Sequence, residues 1–134
     1  MAYKGYLLKV GDFEFPHKLI RAETYNATMS VQDLDSYRDA NGLLHRTALE
    51  HTVNKVEFEL IPLLNNRDIS ALFGNLKRNF TVAAERKALV TCYVPELDEY
   101  VTQEMYMPDT QFPIYGTYDN EIKYNQIRLA FIGY

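Results

Sequence analysis

The sequence predicts a mainly β chain of α+β type: an antiparallel β-sandwich or split barrel, with one amphipathic helix over about 66–79 packed against it and a hairpin over about 33–48 projecting from it. Three observations predict this. Asn65 to Phe80 reads as a helix: Ile69, Leu72, Phe73 and Leu76 fall at i, i+3, i+4 and i+7, while Arg67, Asn75, Lys77, Arg78 and Asn79 mostly occupy the other arc. Strand-like runs lie on both sides of it, with the cleanest alternation over Thr52 to Leu60. The chain also carries 11 Tyr and 7 Phe with no Trp, and Tyr suits half-buried sheets and protein interfaces because it joins apolar area to a polar end.

In chain order, Gly5 to Val10 forms a strand, Gly11-Asp12 turns it, and Phe13 to Phe15 returns until Pro16 stops it. Leu19 to Met29 is extended, with Ile20, Ala22, Thr24 and Asn26 on one face. Asn41-Gly42 then marks a two-residue type I′ turn, because both positions of that turn need positive φ. Its flanks, with Asp33, Asp35, Arg38, Asp39, His45 and Arg46, are too polar to fill an interior without partners. The hairpin therefore projects, as an arm that contacts a neighbouring subunit or as a solvated loop with no partner; both readings stay open.

Thr52 to Leu60 places Val56, Phe58 and Leu60 on a buried face and Lys55, Glu57 and Glu59 on a wet one. Asn65 and Asp68 predict an N-cap with a first-turn carboxylate, and Lys77 and Arg78 suit the C-terminal end of the helix dipole. Gly74 costs that helix about 1 kcal/mol relative to Ala. Leu89 to Val94, Pro95 to Asp98 and Tyr100 to Met107 form a second hairpin. Phe112 to Tyr115 reads as an edge strand, since Pro113 has no N–H for a ladder. Glu121 to Tyr134 reads as one long last strand with Ile127, Leu129 and Phe131 on one face.

The 134 residues suit a single domain, 1–134, and 47% hydrophobic with 24% charged is ordinary for a folded chain. A net charge of −4 with scattered Lys and Arg disfavours specific nucleic-acid binding. The single cysteine, Cys92, supplies neither a disulfide framework nor a thiolate metal set. The start, Met1 to Tyr6, lacks the apolar stretch of a signal peptide, and no run reaches the roughly 18 apolar residues of a membrane span. Synthesis in a reducing cytoplasm and no membrane partner are the expectations.

His17, His45 and His51 show no metal-ligand spacing, no serine sits in a G-x-S-x-G context, and the glycines form no phosphate loop. Cys92 lies within a strand and reads as a small buried hydrophobe. Acidic residues gather at Asp33 and Asp35, at Glu96, Asp98 and Glu99, and at Asp119 and Glu121. They read as solvated turn charge, with a calcium ion the lesser alternative because the EF-hand pattern is absent. The expectation is no enzyme, no catalytic or metal residue and no cofactor.

Leu34 to Arg46 (LDSYRDANGLLHR), Met105 to Asp109 (MYMPD) and Tyr124 to Ile132 (YNQIRLAFI) resemble a family of small, poorly characterised proteins from the tail modules of siphophages and prophages of Gram-positive bacteria. The likeness spans nearly the whole chain and extends more distantly to the tail-tube and distal-tail type of fold. That resemblance implies a non-enzymatic structural protein of a virion tail, made in the bacterial host cytoplasm. It would form a homo-oligomeric ring, a hexamer among the options, with other tail proteins as partners. Asp35, Tyr37, Arg38, Asp39, Asn41, Gly42, His45 and Arg46 are the candidate assembly residues. Net negative charge would suit a lumen through which DNA slides. A tail-tip module binding host-surface carbohydrate or protein is the first alternative, and a small enzyme or enzyme inhibitor the second.

Overall fold

The computed structural model describes residues 3–134, apart from the side chain of His51. Met1 and Ala2, part of the start read above for a signal peptide, and the His51 side chain, read above for metal ligation, lie outside the described residues. The strands are β1 (Leu8–Val10), β2 (Phe13–Glu14), β3 (Asn26–Arg38), β4 (Leu44–Glu59), β5 (Lys87–Val94), β6 (Glu99–Tyr106), β7 (Ile114–Thr117), β8 (Ile122–Tyr124) and β9 (Arg128–Gly133), with helix α1 (Asn66–Arg78) between β4 and β5. One antiparallel sheet runs in the order β2-β1-β5-β6-β9-β4-β3, and β7 and β8 pair as a separate ribbon.

The main sheet curls back on itself. Tyr25, just before β3, donates its hydroxyl to Tyr93 O of β5 at 2.7 Å and to Leu7 O at 3.2 Å. Among the described residues no ladder joins β3 to β1 or β2, so the barrel stays split. The inner face is the core: Ala88, Val90, Cys92 and Val94 of β5, Val56 and Phe58 of β4, and Leu129 and Phe131 of β9 alternate with exposed or half-buried neighbours.

Helix α1 closes this core with Ile69, Leu72 and Leu76 buried, while Phe73 is half-buried against Phe112. Its start carries the expected Asn65 N-cap, which the structure closes into a capping box: Asp68 N–H donates to Asn65 Oδ1 at 2.9 Å, and Asn65 N–H reaches back to Asp68 Oδ2 at 3.5 Å.

Four local expectations are corrected. Leu19 to Met29 is not one strand: 3-10 turns occupy His17–Leu19 and Ala22–Thr24 before β3 begins. There Thr24 Oγ1 donates to Arg21 O at 2.6 Å and accepts from Glu59 N at 2.9 Å, so a side chain takes backbone bonds a ladder would otherwise make. Glu121 to Tyr134 is two strands, because Asn125 N–H donates to Pro113 O and Leu60 N–H to Ile127 O, which sends β8 to β7 and β9 to the main sheet. The short strand at Phe112 to Tyr115 starts later, at Ile114, after Pro113.

The fourth correction concerns Asn41-Gly42. Gly42 has φ +81°, but Asn41 is not in the positive-φ region, so the turn is not type I′. Gly42 N–H donates to Asp39 O at 2.9 Å and Asp39 N–H to Leu43 O at 3.0 Å, the bonds of a three-residue loop with glycine left-handed at its end. Asp39 decides the difference: its Oδ1 accepts from Asn41 N at 2.9 Å and from Leu43 N at 3.0 Å.

Candidate assembly interface

β3 and β4 pair with each other from Asn26–Glu57 out to Arg38–Leu44, with bulges between Val31 and Asp35. β9 reaches β4 only from Lys55 to Glu59. Beyond that point the hairpin is a two-stranded ribbon standing clear of the sheet, as expected for 33–48, although it leaves the body nearer Asn54. Gln103 of β6 anchors its base by supplying both halves of an amide pair: Oε1 accepts from Asn54 N at 3.1 Å and Nε2 donates to Thr52 O at 3.0 Å. Gly133 makes this approach possible, since a Cβ there would run into Gln103 Oε1 and stand 3.0 Å from Asn54 O.

The structure brings most of the candidate residues into a self-bonded tip. Tyr37 and His45, a cross-strand pair, stack with centroids 4.8 Å apart and planes 10° from parallel. His45 Nε2 lies 3.0 Å from Asp39 Oδ2. That hydrogen bond, then those from Leu43 and Asn41, hold the Asp39 carboxyl below its ordinary range. Arg38 Nη1 donates to Gly42 O at 2.9 Å, so Arg38, Asp39 and Gly42 form one closed loop. Arg46 grips Asp33 through Nη2 to Oδ1 at 2.9 Å and Nε to both oxygens at 3.2 Å. Asp35, opposite Thr47, and Asn41 are exposed.

Sequence reasoning missed the apolar half of this arm. Leu34 is 72% exposed and Leu43 63%, with Val31, Leu44 and Leu49 exposed as well. Large aliphatics on a ribbon that no third layer of the described residues covers have no core of this chain to enter. The signal was the Leu43-Leu44 pair directly after a turn, where polar residues would be expected. A second exposed group, Phe112, Ile114, Tyr115 and Tyr118, lies on and beside the β7–β8 ribbon.

Two of the acidic residues read above as turn charge are engaged by neighbours. Asp98 accepts from Tyr93 Oη, and Glu121 faces Arg67 at 3.8 Å and Lys123 at 4.0 Å. Among the described residues no three His, Cys, Asp or Glu side chains are placed to hold a metal ion. Burial pushes the Cys92 thiol up to about 11, which leaves it protonated and unreactive at neutral pH. No described helix is long and apolar enough to cross a membrane.

A family profile matches the sequence over residues 1–134. The chain belongs to DUF6711, a family of unknown function. No curated protein matches it. Among solved structures, this DUF6711 chain is similar to one in the virion of a native gene transfer agent particle, with TM-score 0.54 and 13% identity, over 100% of this chain and 94% of that one. It is also similar to a chain in the tail of an empty gene transfer agent particle, refined with helical, C6 symmetry, with TM-score 0.51 and 14% identity over 99% and 95%. At such identities the likeness is one of fold, and it takes in nearly the whole of each chain.

Proposed function

We propose that this chain is a non-enzymatic structural component of a phage or prophage tail, and that it acts by self-assembly into a ring through the β3–β4 arm. The observation that carries the reading is an arm with exposed leucines on a fold shared, end to end, with a chain of a C6-symmetric tail. A ribbon that two strands alone support is marginal in water, and a neighbouring subunit would supply its missing layer. Six copies is the ring size that the symmetry of the similar tail favours. The tip network of Tyr37, Arg38, Asp39 and His45 supports the reading in a second way, because a pre-ordered arm loses less entropy on docking.

The test compares wild type with the double variant Leu43→Asp/Leu44→Asp. At high concentration, or on a nucleating particle, wild type gives rings or tubes by electron microscopy, and the variant stays monomeric by light scattering with an unchanged melt. A wild type that is monomeric at every concentration, and absent from purified particles of the phage or prophage that encodes it, would rule the reading out. Exposed Phe112, Tyr115 and Tyr118 favour a second reading, a tail-tip module for host-surface carbohydrate or protein. Binding of the isolated chain to host cell walls, lost in Tyr115→Ala/Tyr118→Ala, would support it.

A further inference from the structure

We infer that the groove between α1 and the segment following β6 receives the arm of a second copy of this chain. The inference rests on the arm being the assembling element and adds where it lands. The groove, about 290 Å3, has Phe73 of α1, Phe80, Met107 and Phe112 among its lining residues. Phe73 and Phe112 meet edge to face at 5.1 Å. The cavity is open and apolar, suited to aliphatic side chains brought from outside, and aromatic walls are where interface energy concentrates.

The arm is complementary to the groove in apolar character and in charge. It presents Leu34, Leu43 and Leu44 without a layer to cover them. Between Ser30 and Val53, four carboxylates (Asp33, Asp35, Asp39, Glu50) against two guanidinium groups (Arg38, Arg46) leave a net −2. Among the described residues the groove is lined by two cations, Lys77 and Arg86, and by no carboxylate. Arg86 holds Asp109 at 2.8 Å, while Lys77 has no ion-pair partner among the described residues. On the arm, Asp33 and Asp39 are engaged by Arg46 and His45, whereas Asp35 and Glu50 have no ion-pair partner among the described residues. Leucines against the apolar floor, and Asp35 or Glu50 against Lys77, give the contact its docking sense. Arm and groove are different patches of the same chain, so each copy can give one contact and receive another, and such a head-to-tail contact propagates into a ring or a helical stack.

Cysteine trapping with the full chain tests this. Leu43→Cys and Ser70→Cys, both at exposed positions with Ser70 on the groove wall, are mixed as two singly substituted proteins at high concentration under mild oxidation. Buried Cys92 stays out of the exchange. The expected result is a disulfide-linked 43–70 dimer at least tenfold more abundant than the 43–102 dimer formed with Thr102→Cys on the outer face of β6. Adding Lys77→Glu to the Ser70→Cys protein should cut the yield several-fold, and pairing it with Asp35→Lys in the Leu43→Cys protein should restore it. Equal trapping at positions 70 and 102, or none, overturns the groove as the seat. If Leu43→Asp/Leu44→Asp still abolishes assembly in that case, the arm reading stands and only its landing site is wrong; if it does not, both fall.

Discussion

Gln103, Gly133 and Asp39 each do work that a sequence cannot announce. Gln103 replaces a missing strand for one step of the ladder, and Gly133 is the residue that lets its amide in. Gly133→Ala should therefore cost about 1–3 kcal/mol, read by urea denaturation, because the Asn54 carbonyl beside it is backbone and cannot move aside. Asp39 ties the arm's tip from a carboxylate whose pKa is depressed by His45 first and by the Leu43 and Asn41 amides after it. A depressed carboxylate stabilises at pH values above its unfolded value, ordinarily 3.8, and that contribution disappears as pH falls through the folded value below it. The tip should thus keep its geometry from neutral pH to about 4 and loosen under more acidic conditions, seen as loss of the distinctive Asn41 and Leu43 amide shifts by NMR. The order in which these residues sit in the chain showed that a polar hairpin with glycine existed; the bond from a carboxylate to two amides chose the loop.

Helix α1 was legible from its stripe and its capping pair because both signals are local, repeating every three or four residues. Leu72 is 4% exposed at the centre of that stripe, so Leu72→Asp buries an unpaired charge and should cost about 4 kcal/mol or more, enough to unfold much of the population in a thermal melt. Gly74 tests the opposite sign. A Cβ there would meet only Arg78 Nη2 at 4.0 Å, and its φ is not positive, so Gly74→Ala should stabilise by about 0.5–1 kcal/mol in the same measurement. The hairpins β1–β2 and β5–β6 were legible for the same reason, as alternation closed by a turn. The elements that sequence reading misplaced, Leu19 to Met29 and Glu121 to Tyr134, are those whose backbone bonds go to distant partners: Arg21 N–H to Glu59 O, Ile61 N–H to Leu19 O, Asn125 N–H to Pro113 O. Hydropathy carries no record of such bonds.

At the scale of the molecule, a split barrel closed by one helix leaves a ribbon with nothing of its own to pack on. The arm should consequently be dispensable for folding: Leu43→Asp/Leu44→Asp melts within about 0.5 kcal/mol of wild type while failing to assemble, a pairing that calorimetry and light scattering can separate. A large loss of stability would instead mean that the leucines serve the monomer. The sequence by itself determined that the chain is mainly β with one capped helix, that a charged hairpin lies between residues 33 and 48, and which residues form the core stripe, because periodicity and turn chemistry are local properties. Only the tertiary structure decided the strand order, the split of the last strand, the reach of the arm beyond Asn54 and the exposure of its leucines. Those depend on which backbone groups and side chains find partners far along the chain, and a leucine is core or contact according to whether a second layer lies above it.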